Sequence, residues 1–193
     1  MMKSVHRFAL LVAFTLPLSA ADSLVADRAQ TKVEFMLPSL LHTVHGEFRL
    51  KRGALVFDAA SGKLSGELVI DATSGDSGNA SRDKRMHAAI LESAKYPEIV
   101  FRPDRIEGRV LNTGKSPVQI HGVFSLRGTD HEILVSAAVD AAGGAYEVTA
   151  TFEIPYVKWG LKNPSTLMLR VSDKVEIRVQ TRLAPPASIH SGN

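Results

Sequence analysis

Seven histidines are the side chains in this 193-residue sequence best suited to acid–base or metal chemistry. His42 and His45 stand three apart. In a continuous strand that spacing puts them on opposite faces, so a shared metal ion would need a bulge or bend between them. His87, His121 and His131 are scattered through the body of the chain, and His190 lies close to its end. No Gly-x-Ser-x-Gly elbow, His-Glu-x-x-His helix, phosphate loop or dinucleotide fingerprint occurs, and the Ser, Asp and Glu residues define no acid–base pair. Cysteine is absent, which removes disulfides, thiolate metal sites, iron–sulfur clusters, a cysteine nucleophile and a lipidated N-terminal cysteine together. The expectation is therefore a protein that is not an enzyme, with no catalytic residue, no metal and no cofactor; a metal-dependent enzyme using His42 and His45 is the chemical alternative.

A second group of residues suits recognition better than catalysis. Arg82, Asp83, Lys84 and Arg85 open a helical stretch, and cations near a helix start favour a phosphate or quinone head group. For Lys84 and Arg85 a solvated charged turn is the simpler reading. Tyr156 and Trp159 are amphipathic rings in a loop, placed to close a cavity or to touch a guest in it.

The first 21 residues differ in pattern from the rest of the chain. Residues 1–7 carry Lys3, His6 and Arg7 without an acid, residues 8–18 are apolar, and Ser19-Ala20-Ala21 supplies small residues before Asp22. That is the pattern of a secretory signal peptide cleaved after Ala20 or Ala21, its apolar run being shorter than the roughly 20 residues a membrane-spanning helix needs. Two of the 23 basic residues leave with it, against 20 acidic ones. No basic stripe then remains to neutralise phosphates, and nucleic acid is not an expected partner. The protein is expected in the periplasm or secreted, soluble after cleavage.

The rest of the chain is written in strands. Val44, Gly46, Phe48 and Leu50 alternate with His45, Glu47, Arg49 and Lys51, and the same period of two recurs from Leu64, Val118, Ile133, Tyr146 and Val175. With residues 32–37 and 98–101, about eight short-linked strands are placed, which favours antiparallel neighbours. One amphipathic helix is predicted over residues 81–93, capped by Ser81, with residues 71–79 as a loop leading to it. Residues 22–183 form one domain and 184–193 a flexible tail. An all-β, eight-stranded antiparallel β-barrel with one short inserted helix removes the exposed sheet edges; a two-sheet sandwich competes with it. An apolar interior is favoured over an outer-membrane barrel, whose aromatic girdles this composition does not supply.

Gly46, Gly66 and Gly122 occupy apolar-parity positions, joined by Ala137 and Ala150. Either they permit tight coiling of the strands, or they leave space for a guest. On the second reading the interior is lined by Phe35, Gly46, Phe48, Leu68, Ile70, Ile120, Gly122, Phe124, Val135, Val148 and Phe152, with Arg82, Tyr156 and Trp159 at the mouth, because an eight-stranded barrel is wide enough to hold one small ligand. A tightly filled barrel serving as an interaction module is the alternative.

Arg82-Asp83, Tyr96-Pro97-Glu98-Ile99-Val100-Phe101, Gly122-Val123-Phe124-Ser125-Leu126-Arg127-Gly128 and Tyr156-Val157-Lys158-Trp159-Gly160-Leu161, in this order and spacing, resemble the YceI-like lipid- and polyisoprenoid-binding family. Where that family often has His-Leu, this chain has Arg85-Met86. The resemblance covers about Ser23 to Thr181. It implies a lipocalin-like barrel, export to the periplasm, and an isoprenoid or other amphiphilic lipid as ligand, such as an isoprenoid quinone, a prenyl phosphate or a fatty amide. A transient membrane contact is the further partner expected.

Overall fold

The computed structural model describes residues 21–166 and 170–186. The signal-peptide reading falls outside them except for Ala21, as do His190 and most of the predicted tail. Among the described residues the strands are β1 (Asp22–Ala26), β2 (Lys32–Pro38), β3 (Thr43–Asp58), β4 (Lys63–Asp76), β5 (Glu98–Glu107), β6 (Gly114–Leu126), β7 (Thr129–Ala142), β8 (Ala145–Ile154) and β9 (Val175–Ala184). Helix α1 (Ala80–Arg85) follows β4 and runs into a π-helical turn, Met86–Leu91.

All strand pairings are antiparallel, β3 to β9 pair in chain order, and β9 closes the ring through β2 and β1. β1 and β2 share one position in the wall. β1 pairs with the second half of β3 and the end of β9, whereas β2 pairs with the first half of β3 and the start of β9. The result is a closed barrel of eight staves, the first of them broken at residues 27–31. Asp27 makes the break, because its carboxylate accepts from the backbone N–H of Ala29 (2.9 Å) and Gln30 (3.3 Å) and turns the chain out of the ladder. β1 was not expected from sequence: five residues with two inward apolar positions carry too little periodicity to separate from the preceding apolar run.

Two further expectations are corrected. Residues 71–79 are not a loop throughout, since β4 continues to Asp76. Ser74 sustains it by donating to Asp71 O (2.7 Å) and accepting from Arg49 N (2.8 Å), which bridges the register shift between β3 and β4. The helix is capped by Asn79, not Ser81: the Asn79 side chain accepts from Arg82 N at 3.0 Å. Its second half is wider than an α-helix, and the i→i+5 turn brings Met86 and Leu91 to the same side.

The connections differ between the two ends. At one end lie 39–42, 77–97, 127–128 and 155–174; at the other, 59–62, 108–113 and 143–144. Arg127 and Gly128 both have positive φ (52° and 73°), as do Gly143 and Gly144 (58° and 78°), the two-residue turn whose twist matches that of the flanking strands. Side chains of Leu24, Leu55, Phe57, Leu64 and Leu183 pack the short-turn end, and Phe124, Leu126, Ile154, Tyr156 and Leu161 pack beneath the long connections. Each such burial contributes about 1.5–3 kcal/mol.

The outer wall is charged. Arg52 bridges Glu67 (3.1 Å) and Glu98 (2.8 Å), Lys51 reaches Glu98 (2.9 Å), and Arg182 reaches Glu147 (2.9 Å). These pairs are exposed, and solvent screening leaves each a minor contribution to stability. The Arg52 guanidinium, and after it the Lys51 ammonium, hold the Glu98 carboxyl down at about 2.

Candidate functional site

The barrel encloses a cavity of about 560 Å³. It runs from Leu24, Phe57, Leu64 and Leu183 at the floor to His42, Ser77, Asn79, Arg82 and Arg85 at the mouth, where the long connections lie. Phe48, Leu68, Ile70, Phe101, Ile120, Val148, Phe152 and Ile177 point inward yet keep partial exposure, and that exposure is to the lumen. Short side chains at mid-height, among them Val33, Val135, Val148 and Ala150, leave the axis unfilled. A volume of this size lies within the roughly 300–1,000 Å³ of ordinary ligand pockets.

Phe35, Phe48, Leu68, Ile70, Ile120, Phe124, Val135, Val148 and Phe152 all line the cavity. Gly46 and Gly122 do not, and the reason for the hollow is not the one inferred from glycine. A Cβ on Gly46 would overlap the Phe35 ring and come within 2.5 Å of Asp76 O. On Gly122 it would meet Arg102 O at 2.5 Å and both Pro103 Cα and Phe101 Cε2 at 2.8 Å, next to the register shift in the β5–β6 pair. Gly66, at φ 104°, lies against Ala54 backbone. These glycines permit close approach of a ring or a neighbouring strand, and the space they vacate is already occupied. Lining residues outside the predicted set include Leu50, Met86, Phe101 and Ile177, of which Leu50, Phe101 and Ile177 are legible as inward positions of their strands.

The lumen carries little polarity. Thr31 Oγ1 donates to Asp27 O (2.6 Å), so the 2.7 Å contact between Thr31 and Thr181 is a bond in which Thr181 donates. Both hydroxyl hydrogens are thereby used within the wall. Polar groups gather instead at the mouth. Arg82 lines it, its Nε donating to Ser77 Oγ (2.7 Å) and its Nη2 to Ser77 O (2.8 Å), which leaves Nη1 without a protein partner among the described residues. Asp83 accepts from Ser77 N (3.0 Å) on the far side. Arg85 borders the mouth while remaining exposed to solvent, and Lys84 is exposed outside it.

Tyr156 and Trp159 part company. Tyr156 is buried, lines the cavity and donates to Ser172 O (2.6 Å); burial, with Asp173 nearby, pushes its phenol up to about 12. Trp159 does not line the cavity. Its ring stacks on His131 with centroids 4.0 Å apart and lies 6.0 Å from Phe124, so it closes the top of the wall. His131 Nε2, beneath that stack, is buried without a hydrogen-bond partner among the described residues. The helix is pinned by His87, which bridges Gly75 O and Ser93 Oγ at 2.9 Å each, and by Glu92, paired with Arg127 at 2.6 Å.

His42 stands at the mouth, while His45 points to the outer face of β3, so the wall separates them. Among the described residues no three His, Asp or Glu side chains come together in a group that could hold a metal ion. No helix among them is long and apolar enough to cross a membrane.

The fold is a closed antiparallel barrel with an apolar lumen, a packed floor and a polar mouth beside the helix. The chain belongs to the YceI-like family, whose domain profile matches residues 24–183. Similar chains include UPF0312 proteins of Vibrio parahaemolyticus, 29% identical over 151 residues covering 74% of this chain and 77% of that one, and of Vibrio campbellii, 28% identical over the same span. Among solved structures, BcnA of Burkholderia cenocepacia superposes with a TM-score of 0.67 at 19% identity, covering 81% of this chain and 98% of that one. A polyisoprenoid-binding domain from Saccharophagus degradans, implicated in plant cell wall breakdown, gives 0.65 at 16% identity, with 84% and 98% coverage. At these identities the likeness is one of fold.

Proposed function

We propose that this protein is a carrier, not an enzyme, that holds one isoprenoid or similarly slender amphiphilic lipid in its lumen without a metal or other cofactor. The observation that carries the reading is the 560 Å³ apolar cavity running from the Leu24–Phe57 floor to the Arg82 mouth. At about 0.8 kcal/mol per buried methylene, one five-carbon isoprene unit contributes about 4 kcal/mol before the cost of immobilising it. Two or three units therefore suffice for tight binding without a single hydrogen bond to the tail. The head group stays at the mouth, where Arg82 Nη1 and Arg85 favour a phosphate or a quinone oxygen. The similar structure from Saccharophagus degradans, itself described as polyisoprenoid-binding, supports this choice of guest, and the small-residue step at Ser19-Ala20-Ala21 supports export to a periplasm or beyond.

The test is extraction of the natively purified protein with organic solvent, followed by mass spectrometry. A prenyl lipid recovered near one per chain is the expected result. A blank extract together with no thermal stabilisation by added prenyl phosphates or quinones would overturn the reading. Leader processing is checked separately, by N-terminal sequencing of the exported protein, with Ala21 or Asp22 expected as the first residue.

A further inference from the structure

We infer that the mouth end of the barrel docks on an anionic lipid bilayer, with Leu40 and Leu41 as its apolar tip. Connection 39–42 is a tight hairpin at the rim: Ser39 N donates to His42 O (3.1 Å) and His42 N to Ser39 Oγ (3.3 Å). Ser39 and His42 line the lumen, while Leu40 and Leu41 stand in solvent at 72% and 76% exposure, above every other large apolar side chain among the described residues. Scattered exposed leucines are ordinary. Here two adjacent ones sit on a braced turn, with Leu40 N donating to Arg170 O and Ser172 N to Pro38 O, both at 2.9 Å. Little conformational freedom is left to lose when such a tip enters an apolar phase.

Charge points the same way. The four connections of this end contain nine Lys and Arg but three Asp and Glu, while those of the opposite end contain the single charged residue Arg109. Lys84, Arg85, Lys158, Lys162 and Arg170 are exposed and form no ion pair among the described residues. Of the three acids, Glu92 is paired with Arg127, and Asp83 is held by hydrogen bonds from Ser77 beside Arg82. A cationic rim attracts an anionic surface and orients the mouth toward it. A second copy of the chain fits poorly, because a mouth-to-mouth pair would oppose two positive rims and two leucines fall far short of the roughly 1,200–2,000 Å² a stable interface buries. A bilayer supplies the apolar phase and the negative charge together. The inference does not depend on what the lumen holds.

The experiment uses residues 22–193, because the apolar leader would itself bind lipid and the barrel begins at Asp22. Sedimentation with vesicles of phosphatidylglycerol and phosphatidylcholine is expected to retain the protein at low salt, and vesicles of phosphatidylcholine alone to retain much less. The double variant Leu40→Asp/Leu41→Asp should lose about 100-fold in partitioning with its melting temperature unchanged, the scale of withdrawing two leucines from an apolar phase. Should that variant fold poorly, a Leu41→Trp variant gives the same answer through a vesicle-dependent blue shift beyond that of the parent with Trp159 alone. No retention on phosphatidylglycerol at low salt, equal retention of the double variant, or no blue shift overturns the proposal. So does a dimer that the double variant dissociates while vesicle binding persists, which would make the tip an interface between copies.

Discussion

Replacing Val148 by tryptophan separates a working lumen from a packing defect. Val148 lies mid-stave in β8, opposite Val139 on one side and Thr181 on the other, and its side chain retains exposure to the cavity. An indole placed there extends into open space, so folding stability should change by less than about 1.5 kcal/mol, against the 1–3 kcal/mol that overpacking a filled core costs. The guest fares differently. The ring takes room of the order of one isoprene unit, whose five carbons contribute about 4 kcal/mol. A flexible tail recovers part of this by rearranging, so the net loss is about 2–4 kcal/mol, or roughly 30- to 1,000-fold in Kd. Competition against a fluorescent prenyl probe measures the affinity, and urea unfolding of the same sample measures the stability. Unchanged affinity with unchanged stability would show that the guest does not occupy the middle of the barrel. A stability loss above about 1.5 kcal/mol would show a packed interior at that height.

Gly46→Ala, by contrast, is expected to destabilise the fold by about 1–3 kcal/mol, since its Cβ would overlap the Phe35 ring, and Phe35→Leu in the same chain should recover part of the loss in urea melts. Tyr156→Phe removes the donor to Ser172 O and should cost about 1 kcal/mol at neutral pH. Because the folded phenol titrates at about 12 against 10.0 unfolded, its stabilisation is complete below pH 10 and lost as the pH rises toward 12, a decline that thermal melts should show in the parent and not in the variant. Glu98 has the opposite sign: with its carboxyl held at about 2 against 4.5, its stabilisation is present above pH 4.5 and lost as pH falls through about 2, and Glu98→Gln should flatten that part of the acid limb.

Alternation revealed the wall and its inner face because a period of two is the direct consequence of strand pleating, and it survives in Val118–Leu126 and Tyr146–Ile154 without help from tertiary context. It failed where side chains substitute for the ladder. Asp27 and Ser74 redirect or bridge the backbone with their own oxygens, and the Ser, Asp and Gly of residues 71–79 read as loop although β4 runs through them to Asp76. Glycine was the other failure. Its lack of a side chain is visible in sequence, but whether the vacated space is empty or taken by Phe35, by Phe101 or by a neighbouring strand depends on residues many positions away. Trp159 illustrates the same limit, since its stacking partner His131 lies across the β6–β7 hairpin from Phe124.

The lumen stays open because its large side chains brace the two ends. Phe57 meets Tyr146 edge-on at 6.4 Å near the floor, and Phe124 meets Phe152 at 6.1 Å and Trp159 at 6.0 Å near the mouth. Between them the lumen is walled by Val33, Val135, Val148 and Ala150 together with Leu68, Ile70, Phe101 and Ile120, which keep exposure to it, and hydrogen-bonded staves resist collapse. An apolar space of this kind is poorly hydrated, since water finds no polar partners there. Filling it therefore recovers contacts that the empty barrel lacks, and a guest should raise the melting temperature in proportion to the logarithm of its concentration. Under the proposed function, tail and head then act separately. Shortening the tail withdraws methylenes from the Leu24–Phe57 floor and weakens binding stepwise at any ionic strength. Removing a charged head group spares those contacts and instead abolishes the salt dependence contributed by Arg82 and Arg85, so a series of prenyl alcohols and phosphates of matched length resolves the two contributions.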